Sequence, residues 1–422
     1  MYCRRVPDTE YLPRLADERL AALTQDLPAV LVTGPRAAGK TTSARRLAAE
    51  VLRLDEPAVA AAVRADPDAA LRRASSPVLL DEWQEVPEVL GAVKRAVDDD
   101  PRPGRFLLTG SVEADLTQRM WPGTGRLVRL VLHGLTEREV VCARGRGLVE
   151  AALEGELDRL RLPSGVPDID GYVERALQSG FPEAALRLRG LGREAWLDAY
   201  VEHVVSRDVR AAGQMRDPVR LRRYLEALGV STAGLPTDLS LFQAAGIDKR
   251  TADAYDRLLE SLYLLDRVPA WSSNRLTRLV KRPKRYIVDP GLAMSAARID
   301  GPSVLRDGDL LGRLLDTFVA AQLRPEVALL PRARLHHLRT DGGRQEVDLV
   351  IDLGGGRVVG IEVKAGSAPG PRDARHLGWM RDQLGPSFVC GIVLHTGPRP
   401  FELGDRLWAL PICALWSSFP ER

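Results

Sequence analysis

The run Gly34-Pro35-Arg36-Ala37-Ala38-Gly39-Lys40-Thr41-Thr42 follows directly on the apolar stretch AVLVT and precedes the helix-forming SARRLAAEVL. Glycine, lysine and hydroxyl residues at this spacing, after a strand and before a helix, bind phosphate. Gly34 and Gly39 allow backbone angles that other residues resist, so successive N–H groups can converge on phosphate oxygens. Lys40 supplies a point charge for the β- and γ-phosphates of a nucleoside triphosphate, and the Thr41 hydroxyl is placed to ligate Mg²⁺. A glycine-containing turn that matches by chance is the alternative, and the flanking strand and helix signals stand against it.

Further on, SSPVLLDEWQEVP brings an apolar run, Val78 to Leu80, that ends in Asp81-Glu82. An acid at the end of such a strand holds Mg²⁺ through water, and the next glutamate can polarise the attacking water. A third strand-like run, RFLLTGS, ends in Thr109 and Ser111, hydroxyls able to sense a γ-phosphate; capping the turn is their competing role. Arg126 could reach a γ-phosphate, but a surface or structural role is favoured because arginine is abundant everywhere in the chain. Between these runs LGAVKRAVDDD sets Leu90, Val93 and Val97 on one helical face. Alternating strands and helices predict a parallel sheet covered on both faces. Its ligand belongs at the carboxyl ends of the strands, where all these residues fall.

A second constellation lies in QEVDLVIDLGGGRVVGIEVKAG. Two alternating strands flank the turn Gly354-Gly355-Gly356. On the first, Glu346 and Asp348 share a face; on the second, Glu362 and Lys364 do. Asp348, Glu362 and Lys364 can therefore gather on one side of the sheet. Two carboxylates can hold a divalent ion against a scissile phosphate while the ammonium orients the attacking water. A solvated ion-pair cluster worth little to stability competes with that assignment, as do a scaffold that no longer cuts and a domain that binds nucleic acid without cleaving it.

In the middle of the chain LSLFQAAGIDKRTADAYDRLLESL has a helix-turn-helix cadence, with Gly246 at the turn and Asp248 capping the longer helix. The β-like pieces LYLLDRVPAW and KRYIVDPG follow, completing a winged-helix pattern. Lys249, Lys281 and Lys284 fall here with Arg250, Arg275, Arg282 and Arg285, charge that phosphate contacts would need. A lid or protein-contact role has nearly equal weight.

The 422 residues exceed one ordinary core, and about two to four domains are expected. A net charge of +3 decides nothing about nucleic acid. Four cysteines without a C-x-x-C pair indicate neither a zinc site nor a disulfide framework. No apolar run reaches the length of a membrane span and MYCRRVPDTE lacks a signal-peptide core, so a reduced, cytoplasmic protein is expected. Of 60 lysines and arginines only six are lysine, which makes Lys40 and Lys364 minority choices at sites that prefer a compact ammonium.

The segments GPRAAGKTT, LLDEWQEVP, RFLLTGS and HGLTEREV, in that order, resemble an AAA-type P-loop ATPase family of bacteria and archaea whose members carry a C-terminal region of unknown function. The resemblance covers nearly the whole chain. It implies ATP bound by Gly34 to Thr42, Asp81 in the metal role and Glu82 as the water-activating residue, and it too suggests a winged helix. The chain departs from the family at Ala37-Ala38, usually Gln-Val, at Trp83, usually aliphatic, and at His133, usually proline. None of these touches the reacting groups. The C-terminal hairpin resembles the D…E-x-K pattern of the restriction-endonuclease-like fold. Asp316, on the preceding helix, matches the position where relatives carry a helical acid, which makes Asp316, Asp348 and Glu362 the implied metal ligands.

The expected architecture is therefore α/β in three parts. Residues 1–142 form an AAA-type P-loop sheet with flanking helices, 143–300 a helical and winged-helix domain, and 301–422 an α/β restriction-endonuclease-like domain. The expected function is ATP hydrolysis whose nucleotide state controls a DNA-directed module. The alternative is a nucleotide-controlled switch or partner-binding protein with slow turnover and an inactive nuclease-like domain. The expected ligands are ATP, Mg²⁺, DNA and, if the last domain cuts, a second divalent ion. A homo-oligomer or protein partner is left open, and no membrane is expected.

Overall fold

The computed structural model describes residues 11–110, 125–208, 217–234, 238–271, 282–340 and 344–420. Ser111, Arg275 and Lys281, singled out above, lie outside the described residues. Contacts divide the chain into two compact units. The smaller is Pro13–Gly134 with Leu259–Leu264; the larger is Leu135–Leu258 with Leu265 onward, joined by Tyr11 and Leu12.

The smaller unit is built on five strands: β1 (Ala29–Thr33), β2 (Glu50–Arg53), β3 (Val78–Asp81), β4 (Phe106–Thr109) and β5 (Leu127–Val131). They pair in the order β2-β3-β4-β1-β5, every pair parallel. The three central strands are short continuous apolar runs, buried along their whole length, as a sheet covered on both faces requires. Successive residues alternate between the two faces. Ala29, Leu31, Val78, Leu80, Phe106 and Leu108 join one core with Leu90, Val93 and Val97 of the helix Val89–Asp99. Val30, Val32, Leu79 and Leu107 join the other with Leu20 of the helix Asp17–Asp26 and Ala44 of the helix Lys40–Arg45. Each fully buried Val, Leu or Phe contributes about 1.5–3 kcal/mol. β1 lies between β4 and β5, while the chain leaves it for the far edge of the sheet. In open parallel sheets such a reversal is where ligands bind, and the glycine-rich loop emerges there, at the carboxyl end of β1.

The larger unit carries a two-stranded antiparallel ribbon, β6 (Leu265–Val268) with β7 (Lys284–Ile287), and a six-stranded mixed sheet. The sheet comprises β8 (Arg334–Arg339), β9 (Glu346–Asp352), β10 (Val358–Lys364), β11 (Phe388–His395), β12 (Phe401–Gly404) and β13 (Leu407–Pro411), in the order β12-β13-β11-β10-β9-β8. Gly354, Gly355 and Gly356 all have positive φ and turn β9 back antiparallel onto β10. β10 and β11 run parallel, so their connection must cross over; it does so through the helix Arg375–Leu384, which buries Leu377 and Met380. The helix Gly308–Leu329 packs against β8, β9 and β10. LWALPICALW is β13 followed by the short helical turn Ile412–Trp416; Pro411 has no N–H to continue the ladder. The helices Asp238–Ala245 and Lys249–Ser261 are joined at Gly246, φ +63°, and Asp248 accepts a 2.7 Å hydrogen bond from the Thr251 N–H. No helix among the described residues is long and apolar enough to cross a membrane.

Gly34 has φ +141°, and a Cβ placed there would lie 2.1 Å from the carbonyl oxygen of Leu132. A backbone atom cannot rotate aside, so Gly34→Ala is expected to cost about 2 kcal/mol or more. Thermal unfolding reads this directly: the variant melts several degrees below the wild type, and an unchanged Tm would contradict the close approach.

Candidate functional site

The loop after β1 is shaped by unusual backbone angles at three positions: Gly34, Ala37 at φ +61° and Gly39 at φ +94°. A left-handed alanine is strained by about 1–2 kcal/mol and must be held by its surroundings. Buried Arg14 is one such support. Its guanidinium donates to the carbonyl of Ala38 at 2.9 Å and to that of His133 at 2.7 Å. Pro35 and Ala38 are buried in this loop, while Arg36, Ala37 and Thr42 are exposed. Sequence inspection passed over Arg14, because one arginine carries no signal in so arginine-rich a chain.

Lys40 opens the helix that follows and is itself buried. Its Nζ donates to the carbonyls of Gly34 at 3.1 Å and Pro35 at 2.9 Å. Burial pushes its pKa down to about 8, against the opposing pull of the Glu82 charge. A desolvated ammonium held by neutral carbonyls is under-compensated and favours an incoming anion.

At the ends of β3 and β4 one carboxylate oxygen, Asp81 Oδ1, accepts from the Thr41 hydroxyl at 2.7 Å and from the Thr109 hydroxyl at 2.5 Å. Thr109 thus braces Asp81, a role different from both the capping and the sensing considered above. Glu82 has φ +52° and accepts a hydrogen bond from the Gln84 amide, a residue no motif pointed to. Arg126 forms an ion pair with Asp98 on an exposed surface. These groups fit a nucleoside triphosphate with Mg²⁺: an ammonium free of a tight carboxylate partner lies beside a hydroxyl and a carboxylate, the hard oxygen donors that Mg²⁺ takes.

In the larger unit Asp348, Glu362 and Lys364 do converge. Asp348 accepts from the Val363 N–H at 2.9 Å, and Lys364 donates to Glu362 at 2.7 Å. Burial, reinforced by the charge of Asp348, pushes the pKa of Glu362 up to about 8. Asp316 also arrives, but Lys284 comes between it and Asp348, with Nζ 3.1 Å from Asp316 and 3.3 Å from Asp348. Burial alone would lower the Lys284 pKa; the charges of Asp316 and Asp348 hold it well above the ordinary lysine value. Asp316 is raised by burial despite Lys284, while at Asp348 burial is outweighed by Lys284 and the Val363 N–H, so its pKa is lowered. The metal triad Asp316, Asp348 and Glu362 is corrected accordingly: among the described residues no three His, Cys, Asp or Glu side chains are placed to hold a metal ion.

The basic set in the middle of the chain is also divided. Lys284 is buried between acids, and buried Arg285 joins Arg267 on the Asp256 carboxylate at 3.1 and 2.9 Å. Lys249 and Arg250 are exposed at the start of their helix. The expectation that Lys284 and Arg285 face phosphate is therefore corrected: their charges are neutralised inside the protein.

Three domain families match successive stretches: an AAA domain over residues 26–141, a domain of unknown function (DUF8612) over 169–303 and a second (DUF4143) over 311–415. Uncharacterized proteins of Mycobacterium bovis and Mycobacterium tuberculosis are each 30% identical over 403 residues, 94% of this chain and 83% of theirs. Among solved structures, a Walker-type ATPase of Pyrococcus abyssi overlaps with a TM-score of 0.39 at 16% identity, covering 70% of this chain and 99% of that one. With an AAA domain followed by two domains of unknown function, the chain belongs to the same family as the two mycobacterial proteins.

Proposed function

We propose that this chain binds and hydrolyses ATP and that its nucleotide state controls the larger unit. The observation that carries the proposal is the junction of Thr41, Asp81 and Thr109 beside the buried, carbonyl-held Lys40. Gly34 to Thr42 cradle the phosphates, and Lys40 gives its charge to the β- and γ-phosphate oxygens. Thr41 and Asp81 would hold Mg²⁺, which would supply charge neutralisation for the phosphates. Glu82 orients and polarises the attacking water, with Gln84 fixing its carboxylate. Ser111 is the remaining hydroxyl assigned to the nucleotide.

Two outputs compete. Paired β6 and β7 after a helix-turn-helix support a winged helix, and convergence of Asp348, Glu362 and Lys364 supports a restriction-endonuclease-like fold acting on DNA. Burial of Lys284 and Arg285 in ion pairs favours the other output: a switch or partner-binding protein with slow turnover and an inactive nuclease-like domain.

Steady-state ATPase assays test the site. Lys40→Ala is expected to lose activity at least about 100-fold; activity equal to wild type would reject the proposal. Glu82→Gln is expected to keep ATP affinity while kcat falls about 10²–10³-fold, and a loss of affinity with kcat preserved would remove Glu82 from the water-activating role.

The low pKa of Lys40 has a measurable consequence. Near pH 8 the ammonium is about half deprotonated, and an incoming phosphate anion raises its pKa again. ATP binding at pH 8 is therefore expected to take up about half a proton, and affinity to weaken as pH rises through 8. Calorimetry in buffers of differing ionisation enthalpy, with Lys40→Ala as control, reads the uptake; equal uptake by both proteins would assign the proton elsewhere.

A further inference from the structure

The ribbon β6–β7 delivers one side chain into the acid face of the six-stranded sheet. Lys284, at the start of β7, is 2% exposed. Its Nζ lies 3.1 Å from Asp316 Oδ2, 3.3 Å from Asp348 Oδ1 and 3.3 Å from the carbonyl oxygen of Asp348. Two carboxylates and a backbone carbonyl converging on one point are a donor set for a hard divalent cation. Here an ammonium takes that point.

The surrounding contacts are built for it. Tyr286, on the same face of β7, donates to Asp316 Oδ1 at 3.0 Å, and the Val363 N–H donates to Asp348 Oδ2 at 2.9 Å. Both carboxylates are thus held in place while their other oxygens receive Lys284. The third acid, Glu362, has its own ammonium in Lys364 at 2.7 Å. Each position at which a metal would offset negative charge already has a lysine.

We propose that Lys284 is the tethered cation of this site: its ammonium stands between Asp316 and Asp348 where a divalent ion would otherwise sit, and it closes the acid cluster to metal. A free ion would have to displace a cation attached to the chain, whose effective concentration is high whatever the metal supply. The acids of the C-terminal sheet then serve to dock β7 onto that sheet, and Mg²⁺-dependent cutting is blocked while Lys284 stays in place. An ordinary buried ion pair differs in one respect. Removing its lysine would destabilise the protein without creating a metal site.

Nucleotide-free Mn²⁺ binding, followed by electron paramagnetic resonance, separates these possibilities in the full chain. Wild type and Asp348→Asn are expected to bind Mn²⁺ identically, because the site is closed. Lys284→Ala is expected to gain one Mn²⁺ at least about tenfold tighter than any in wild type, to lose it again in Lys284→Ala/Asp348→Asn, and to melt higher when Mn²⁺ is added. A folded Lys284→Ala protein with wild-type Mn²⁺ affinity would overturn the proposal. So would a Mn²⁺ ion bound by wild type and abolished by Asp348→Asn. If Lys284→Ala fails to fold alone, folding restored by Mn²⁺ in Lys284→Ala but not in Lys284→Ala/Asp348→Asn supports the proposal, and no restoration by Mn²⁺ overturns it. Neither readout involves ATP turnover, so failure of this proposal is distinct from failure of the ATPase assignment.

Discussion

A single carboxylate oxygen, Asp81 Oδ1, holds the nucleotide end of the smaller unit together. It receives Thr41 from the helix after the glycine-rich loop and Thr109 from the end of β4. In the parallel ladder Asp81 pairs with Thr109, and Val32 of β1 pairs with Thr109 on its other side. Register normally follows from an apolar face meeting a core, but β1, β3 and β4 are buried on both faces, so their apolar residues would tolerate a slip. Asp81 would not. A one-residue shift would turn its carboxylate away from both hydroxyls and leave a buried charge without partners. The polar residues at the strand ends thus serve chemistry and register together. The loop, Lys40 and Glu82 all take their positions from that registration.

In the larger unit a buried acid does comparable work for the ribbon. Asp256 accepts from Tyr224 at 2.6 Å and from Arg267 and Arg285 of β6 and β7 at 2.9 and 3.1 Å. These contacts fasten the ribbon to the helix Lys249–Ser261 from one side. Lys284 and Tyr286, engaging Asp316, fasten it to the helix Gly308–Leu329 and the sheet from the other. The alternation of β7 makes this possible, since Arg285 points away from Lys284 and Tyr286. One strand joins two groups of elements through opposite faces.

How much of this was legible in the sequence depended on whether the signal was local. AVLVT, VLLD and FLLT read as buried strands because they are short continuous apolar runs. β2 gave no such run, since its residues are at most partly covered at the sheet edge, and its first three residues read instead as the end of the helix-forming SARRLAAEVL, whose helix stops at Arg45. Gly34, Lys40, Thr41 and Asp81 could be singled out because phosphate chemistry asks for particular residue types at fixed spacing, and the fold joins Thr41 to Asp81. Arg14 and Gln84 were missed because each acts through an ordinary hydrogen bond whose partner is set by tertiary packing. Asp348, Glu362 and Lys364 were correctly placed on one face by strand period alone. Lys284 was noticed as a basic residue, but nothing near it in sequence reveals that Asp316 and Asp348, tens of residues away, converge on its Nζ.

Lys40 and Lys284, the two lysines buried among the described residues, show what decides the outcome. Lys40 and Lys284 are both removed from water, and burial pushes each toward the neutral form. They end on opposite sides of the ordinary value because their hydrogen-bond acceptors differ. Lys40 meets the neutral carbonyls of Gly34 and Pro35, so its charge is poorly compensated and its affinity for an anion is left for an arriving phosphate. Lys284 meets two carboxylates, so its charge is neutralised within the fold and little attraction remains for DNA or any other anion. A lysine's worth as a phosphate-binding group is therefore read from its acceptors and not from the basicity of its surroundings. By that criterion Lys40 is ready for ligand, whereas Lys284 is committed to structure, although sequence context had marked both for phosphate.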